Sequence, residues 1–274
     1  MPKICNFQET ISLTLHRILL SLIAVKKFFL LILFCAVSFF SRAQSTLKDS
    51  SFAFSMVGTS YSFELPGGDL AKRFGYNSSI GVNFLRKTKH DWVWGADANF
   101  LFGNQLKETG ILDSIKTAEG HIINQNGEYA EIRMFERGMT STLKFGKMFH
   151  VLAPTANSGI ILLGSAGFML HKIRIEDIGN ASPQLSKEMK KGYDRLTNGF
   201  CTSEFIGYMY IGKKKTVNFF AGLEFYQGFT EGRRKWDYDL MRPDSGKRLD
   251  LLYGIRAGWI LPLYKRTPDL YYFY

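Results

Sequence analysis

Six charged residues fall at positions where a sheet would turn them away from solvent: Asp97, Lys144, Glu204, Glu224, Asp250 and Arg256. All but Glu204, which follows Ser203, have an apolar residue on each side. Period-two alternation puts such a charge on the opposite face of a strand from its neighbours. A buried charge is costly unless a partner of opposite sign meets it. Asp97 with Lys144, and Glu224 with Arg256, lie on consecutive predicted strands and form the expected pairs. Their chemistry would be electrostatic, a salt-bridged and hydrogen-bonded filling of a narrow interior.

Nucleophilic or acid-base chemistry has a thinner basis. His90 and His150 lie in or beside short turns, His121 in a long polar segment, and His171 at a predicted strand end near Glu176 and Asp177. Ser165 shares a strand face with His171, but six residues of extended chain separate them by about 20 Å. No metal-ligand spacing, phosphate-binding glycine loop or nucleophile elbow occurs. Neither a metal nor a cofactor is expected, and a lipid-modifying enzyme is the runner-up reading.

The elements that position these residues are read from alternation. Eight segments rich in glycine and aromatics are predicted as strands: Phe52 to Phe63, Tyr76 to Leu85, Asp91 to Phe102, Arg137 to Phe149, Gly159 to Lys172, Phe200 to Ile211, Thr216 to Thr230 and Arg248 to Leu261. The last is the clearest. Leu249, Leu251, Tyr253, Ile255, Ala257, Trp259 and Leu261 share one face, with Asp250, Leu252, Gly254, Arg256, Gly258 and Ile260 on the other. The third, fourth and seventh alternate similarly, whereas the first, fifth and sixth alternate poorly. The connections run long, short, long, short, long, short, long, so the long ones gather at one end, as in transmembrane barrels.

The polar strand faces carry about one charge each amid Gly, Ser, Thr and Asn. A water-facing exterior would be far denser in Lys and Glu. The fold expected is therefore an all-β, eight-stranded antiparallel up-and-down transmembrane barrel, with its apolar face outward. A soluble periplasmic barrel of lipocalin type, with the apolar face inward around a ligand, is the third reading.

Composition agrees with export. Lys26 and Lys27 precede an uninterrupted apolar run from Phe28 to Phe40, followed by Ser41, Arg42 and Ala43. This is the pattern of a secretory signal peptide over residues 1–43, and the run is shorter than the roughly 20 residues of a membrane-spanning helix. Val25-Lys26-Lys27-Phe28-Phe29 itself reads like a true start, placing residues 1–24 ahead of it. The barrel domain is expected over 44–274. Of 3 cysteines, only Cys201 lies beyond the leader, so an internal disulfide is not expected. The formal charge of +11 falls once the basic leader is removed, and the remainder is spread among loops, which argues against nucleic acid as a partner.

The signal ending in Ala43-Gln44, the eight strands, the run Gly258-Trp259-Ile260-Leu261-Pro262 and the aromatic terminus Tyr271-Tyr272-Phe273-Tyr274 resemble small outer-membrane barrels of the Bacteroidetes type. The wider likeness is to the OmpA and OmpX membrane barrels and the PorT-like barrels. The resemblance implies a bacterial outer-membrane location and a porin-like envelope protein without catalysis, serving in envelope structure, adhesion or a larger surface complex. One departure is the tail: Pro262 and Pro268 separate the last strand from Tyr274, whereas such barrels often end on the strand itself.

The long loops hold the other candidate residues. Lys190, Lys191 and Arg195 precede the sixth strand, and Arg233, Arg234, Lys235 and Trp236 follow the seventh. Basic groups beside an aromatic at a membrane rim are suited to lipopolysaccharide phosphates. Outer-membrane lipid and lipopolysaccharide are therefore the expected partners, with other envelope proteins next.

Overall fold

A computed structural model describes residues 51–179, 181–212, 217–244 and 246–263. The expected signal peptide and the tail beyond Leu263, with its aromatic terminus, lie outside the described residues. The barrel lies within Asp49–Tyr274.

Eight antiparallel strands close on themselves in sequence order. They are β1 (Phe54–Gly68), β2 (Asn77–Lys87), β3 (Trp92–Gly103), β4 (Ile132–Phe149), β5 (Gly159–Asp177), β6 (Thr197–Ile211), β7 (Asn218–Gly232) and β8 (Lys247–Leu263). Closure comes from β1 on β8, in register from Ser55 opposite Leu263 to Gly68 opposite Asp250. A closed barrel leaves no unpaired sheet edge, the condition for crossing a lipid layer with strands. One end carries the turns β2–β3, β4–β5 and β6–β7. The other carries the longer connections, including the one-turn helix α1 (Leu70–Arg73) and three short 3₁₀ segments.

The strands run further than alternation alone suggests, mostly at the long-loop end. β4 begins at Ile132 rather than Arg137, and β5 continues to Asp177 rather than Lys172, so Ile132 pairs with Asp177 beyond the point where β6 begins opposite His171. Apolar residues continue the ribbon: Ile173 and Ile175 are buried beneath the loops, packed against Ile132 and Met134.

The wall faces outward with its apolar side. Leu143, Val82, Ile255, Leu223, Phe145 and Phe229 are each more than half exposed, in an arrangement that excludes a soluble barrel with its apolar face inward. The interior has three layers. Phe54, Met56, Val93, Ile161, Met209 and Ile260 belong to a buried apolar cluster at the short-turn end. A second apolar cluster, with Leu70, Phe74, Leu101, Ile111, Met169 and Ile173, fills the long-loop end. Buried polar and charged residues lie between. The end layers explain why β1, β5 and β6 alternate poorly, since apolar residues appear on both of their faces.

Candidate functional site: the charged layer and the outer cap

Arg256 on β8 is the centre of the polar layer. Its exposure is 2%, and its Nη1 donates to Asp97 Oδ2 at 2.7 Å and to Glu224 Oε2 at 2.9 Å. Nη2 donates to Ser60 Oγ at 2.8 Å and Asn99 Oδ1 at 3.1 Å. Lys144 reaches the same two carboxylates, at 2.9 Å from Asp97 Oδ2 and 2.7 Å from Glu224 Oε1. Two cations and two carboxylates from β3, β4, β7 and β8 thus form one alternating ring across the lumen. Thr142 donates to the free oxygen of Asp97 at 2.6 Å, and Asn99 Nδ2 donates to Thr140 Oγ1 at 3.0 Å. Glycines on either side of Arg256 make room for the side chains around the ring: a Cβ at Gly254 would come within 2.8 Å of Glu64 and one at Gly258 within 2.5 Å of the Phe220 ring. Charge-assisted bonds of this density offset the desolvation of buried ions.

Asp250 is also inward and buried but stands apart from the ring. Its Oδ2 lies 2.8 Å from His171 Nε2 and accepts a hydrogen bond from Thr230 Oγ1, while the His171 ring meets the Phe74 edge. Ser165 pairs with Ser203, Oγ to Oγ at 2.6 Å. Ser165 and His171 are therefore engaged with different partners and form no nucleophile-base pair.

Glu204 corrects the inward assignment. It lies on the outer surface, and Gln227 Nε2 donates to its Oε2 at 2.9 Å. The inward positions beside it belong to Ser203 and Phe205, both buried. The parity of β6 is hidden because Cys201, Phe205 and Met209 on the inner face are as apolar as Phe200 and Ile206 outside.

Sequence reasoning misses two further inward acids. Glu64 accepts from Ser79 Oγ at 3.0 Å, and both oxygens of Glu136 accept from Asn77 Nδ2, at 3.1 and 3.0 Å. Glu64 lies past the predicted end of β1 and Glu136 before the predicted start of β4. Continuation of period two beyond Phe63 was the available signal for the first.

At the short-turn end, Lys87 Nζ lies 2.7 Å from Asp91 Oδ1, and His150 Nε2 lies 2.8 Å from Asp91 Oδ2. This clasp ties the β2–β3 turn to the β4–β5 connection. Burial pulls the Asp91 carboxyl upward, but hydrogen bonds from Lys87, His150 and Ser51 outweigh it and hold the group below its ordinary value.

The loop residues divide sharply. Arg195 is a second correction: it is 1% exposed and turns inward beneath the loops, where no lipid phosphate can reach it. Its guanidinium lies 2.9 Å from Asp237 and 3.1 Å from Glu108, and donates to Asp239 at 2.8 and 2.5 Å. Burial alone would lower the Arg195 pKa; the hydrogen bond to Asp239 and the charges of Glu108 and Asp237 raise it instead. Burial also raises the Asp237 carboxyl against the pull of Arg195. Arg234 forks onto Asp194 at 2.7 and 2.6 Å. Arg233 donates to Asn198 at 2.6 Å and remains about half exposed. Lys191 pairs with Glu188 at 2.7 Å on the exposed surface, while Lys235 and Trp236 are exposed. Lys190 lies beside Lys191 in the 3₁₀ segment Met189–Gly192 and is partly exposed. Beside Arg195 opens a polar cleft of about 710 Å³, lined by Lys72, Arg73, Arg242, Asp244, Lys247 and Arg248 among others.

No family model and no curated protein matches the chain. Among solved structures, Ail, the attachment invasion locus protein of Yersinia pestis, matches in complex with the heparin analogue sucrose octasulfate, at 10% identity over 77% of this chain and 99% of Ail, with a TM-score of 0.42. A structure of Ail without that ligand matches at 9% identity, over 77% of this chain and 99% of Ail, with a TM-score of 0.40. Neisserial surface protein A matches at 9% identity over 76% of this chain and 97% of its own, with a TM-score of 0.39. These are distant likenesses, and the fold rests on the chain's own strand pairing.

Proposed function

We propose that this chain is a non-catalytic protein of the bacterial outer membrane, exported by its leader, whose barrel is a closed anchor and whose ordered outer cap is the working surface. The ring of Arg256, Lys144, Asp97 and Glu224 carries the reading. With apolar layers above and below it, the ring fills an eight-stranded lumen that is only wide enough for side chains. Such a barrel holds a surface in place instead of passing solutes. The cap presents cations left outside its internal pairs, including Lys190, Lys235, Arg242 and Lys247, with the half-exposed Arg233 and Trp236 beside them. Anionic groups of lipopolysaccharide are the chemistry they suit, and adhesion or service in a surface complex is the role that follows.

The test joins two measurements, one on the purified full chain and one on cells. In planar bilayers the wild-type barrel shows no steady conductance, and a stable ohmic channel overturns the closed anchor. Lipid A mass spectra from cells with and without the protein are identical, and a lost or gained acyl chain overturns the non-catalytic role.

A further inference from the structure

Glu204 is the one charged side chain on the outward face of β6 among the described residues. On β6 it lies halfway between Phe200 and Tyr208, about 10 Å from each along the barrel axis for strands tilted near 40°. In hydrocarbon a carboxyl at that depth has no solvent to satisfy it, and intramembrane ionisable groups face partners. Two neighbours answer part of the need. Thr202 Oγ1 donates to Gln227 Oε1 at 2.8 Å, and Gln227 Nε2 donates to Glu204 Oε2 at 2.9 Å. That leaves one N–H of Gln227 and the second oxygen of Glu204, which meets no donor among the described residues.

Beside Glu204 the wall is hollowed. A groove of about 780 Å³ runs across it, lined by Leu162, Gly164, Glu204, Ile206, Phe225 and Tyr253 among others. Gly164 faces outward opposite Glu204, and a Cβ added there would meet only Phe145 O, at 3.9 Å. The barrel's own packing does not require glycine at this position, so the space it leaves is available to something outside. Small residues with polar hydrogen-bonding groups are the features that join membrane segments, where lipid removes the hydrophobic drive to associate.

We infer that the β6–β7 wall is the interface of a two-fold dimer of this chain, closed by reciprocal hydrogen bonds between Glu204 of one copy and Gln227 of the other. The leftover groups decide the occupant. They comprise one donor and one acceptor on two side chains already joined at 2.9 Å, and hence at about one depth. Both copies in one membrane share an orientation, so their two-fold axis runs along the membrane normal. An axis passing between β6 and β7 sets β6 of each copy against β7 of the other, at equal depth. The unused N–H of Gln227 then faces the unused oxygen of the partner's Glu204, twice, in an isologous contact. A lipid acyl chain fills the groove but offers no donor.

The test uses the full mature chain in lipid vesicles. A short bis-maleimide reports proximity through Ile206→Cys, in the groove, and through Val82→Cys, which is exposed on β2 across the barrel; native Cys201 is buried. Cross-linked dimer is expected at least tenfold more abundant for Ile206→Cys, at protein-to-lipid ratios low enough to make random collision rare. Adding Glu204→Leu lowers that yield at least tenfold, while heat-modifiable gel migration reports that the barrel still folds. Glu204→Gln, whose amide oxygen still accepts, holds the yield within about threefold. Equal cross-linking at the two cysteines, an unchanged yield with Glu204→Leu, or loss of dimer with Glu204→Gln overturns the inference.

Discussion

Arg256→Ala is the sharpest perturbation of the charged layer. It deletes five hydrogen bonds, to Asp97, to both oxygens of Glu224, to Ser60 and to Asn99. Lys144 remains within 2.9 Å of Asp97 and 2.7 Å of Glu224, so two carboxylates must share one ammonium at a site closed to water. Removing one partner of a buried ion pair costs about 3–5 kcal/mol. The surviving Lys144 places this case at the lower limit, about 3 kcal/mol. With a urea dependence of about 2 kcal/mol per molar, the unfolding midpoint falls by about 1.5 M. The assay is reversible urea unfolding in lipid vesicles, followed by tryptophan fluorescence and by gel mobility. Glu224→Gln in the Arg256→Ala background restores part of the loss, because it removes the stranded charge. An unchanged midpoint, or strictly additive effects of the two substitutions, refutes the idea that these residues form one coupled unit.

Two further outcomes follow from groups outside the wall. Asp91 is held below its ordinary carboxyl value of 3.8, so the clasp with Lys87 and His150 contributes its full stability above that pH and loses it as pH falls through the lower folded value. Asp91→Asn is therefore less stable than wild type by about 1 kcal/mol at neutral pH, and the gap in urea midpoint narrows below about pH 4; a constant gap would contradict this assignment. Arg195→Ala leaves Glu108, Asp237 and Asp239 facing one another under the cap, at a local cost of about 3 kcal/mol. External protease then cuts the segment 233–246 about a hundredfold faster while the barrel's urea midpoint stays fixed, and unaltered cleavage would show that Arg195 does not hold the cap.

Much of this architecture is legible because β3 and β8 alternate clearly, and β7 does so apart from Phe220 and Tyr226: one face meets lipid, and the other meets a lumen that holds small and charged residues. Asp97, Lys144, Glu224 and Arg256 stand out for that reason. What period two could not show is the cross-barrel partner. Reasoning along neighbouring strands gives the pairs Asp97 with Lys144 and Glu224 with Arg256, whereas the closed geometry also joins Lys144 to Glu224 and Arg256 to Asp97. Glu204 is misread because the lumen is not polar throughout. Where apolar residues pack the interior, as around Phe205, hydropathy no longer distinguishes inside from outside. Arg195 is misread for a related reason, since a basic residue in a loop looks solvated until the acids of two other loops fold over it.

The neutral ring also bears on how such a sequence can change. Two cations and two anions share every charge, so a single replacement at 97, 144, 224 or 256 unbalances the whole set. Divergence there should proceed by linked exchanges, a swap of sign or the simultaneous loss of an acid and a base. The apolar layers at either end obey a different rule, in which each position drifts separately so long as total volume is kept. Within one short barrel, two clocks would thus run side by side: a slow, paired one at mid-depth and a faster, solitary one near each rim.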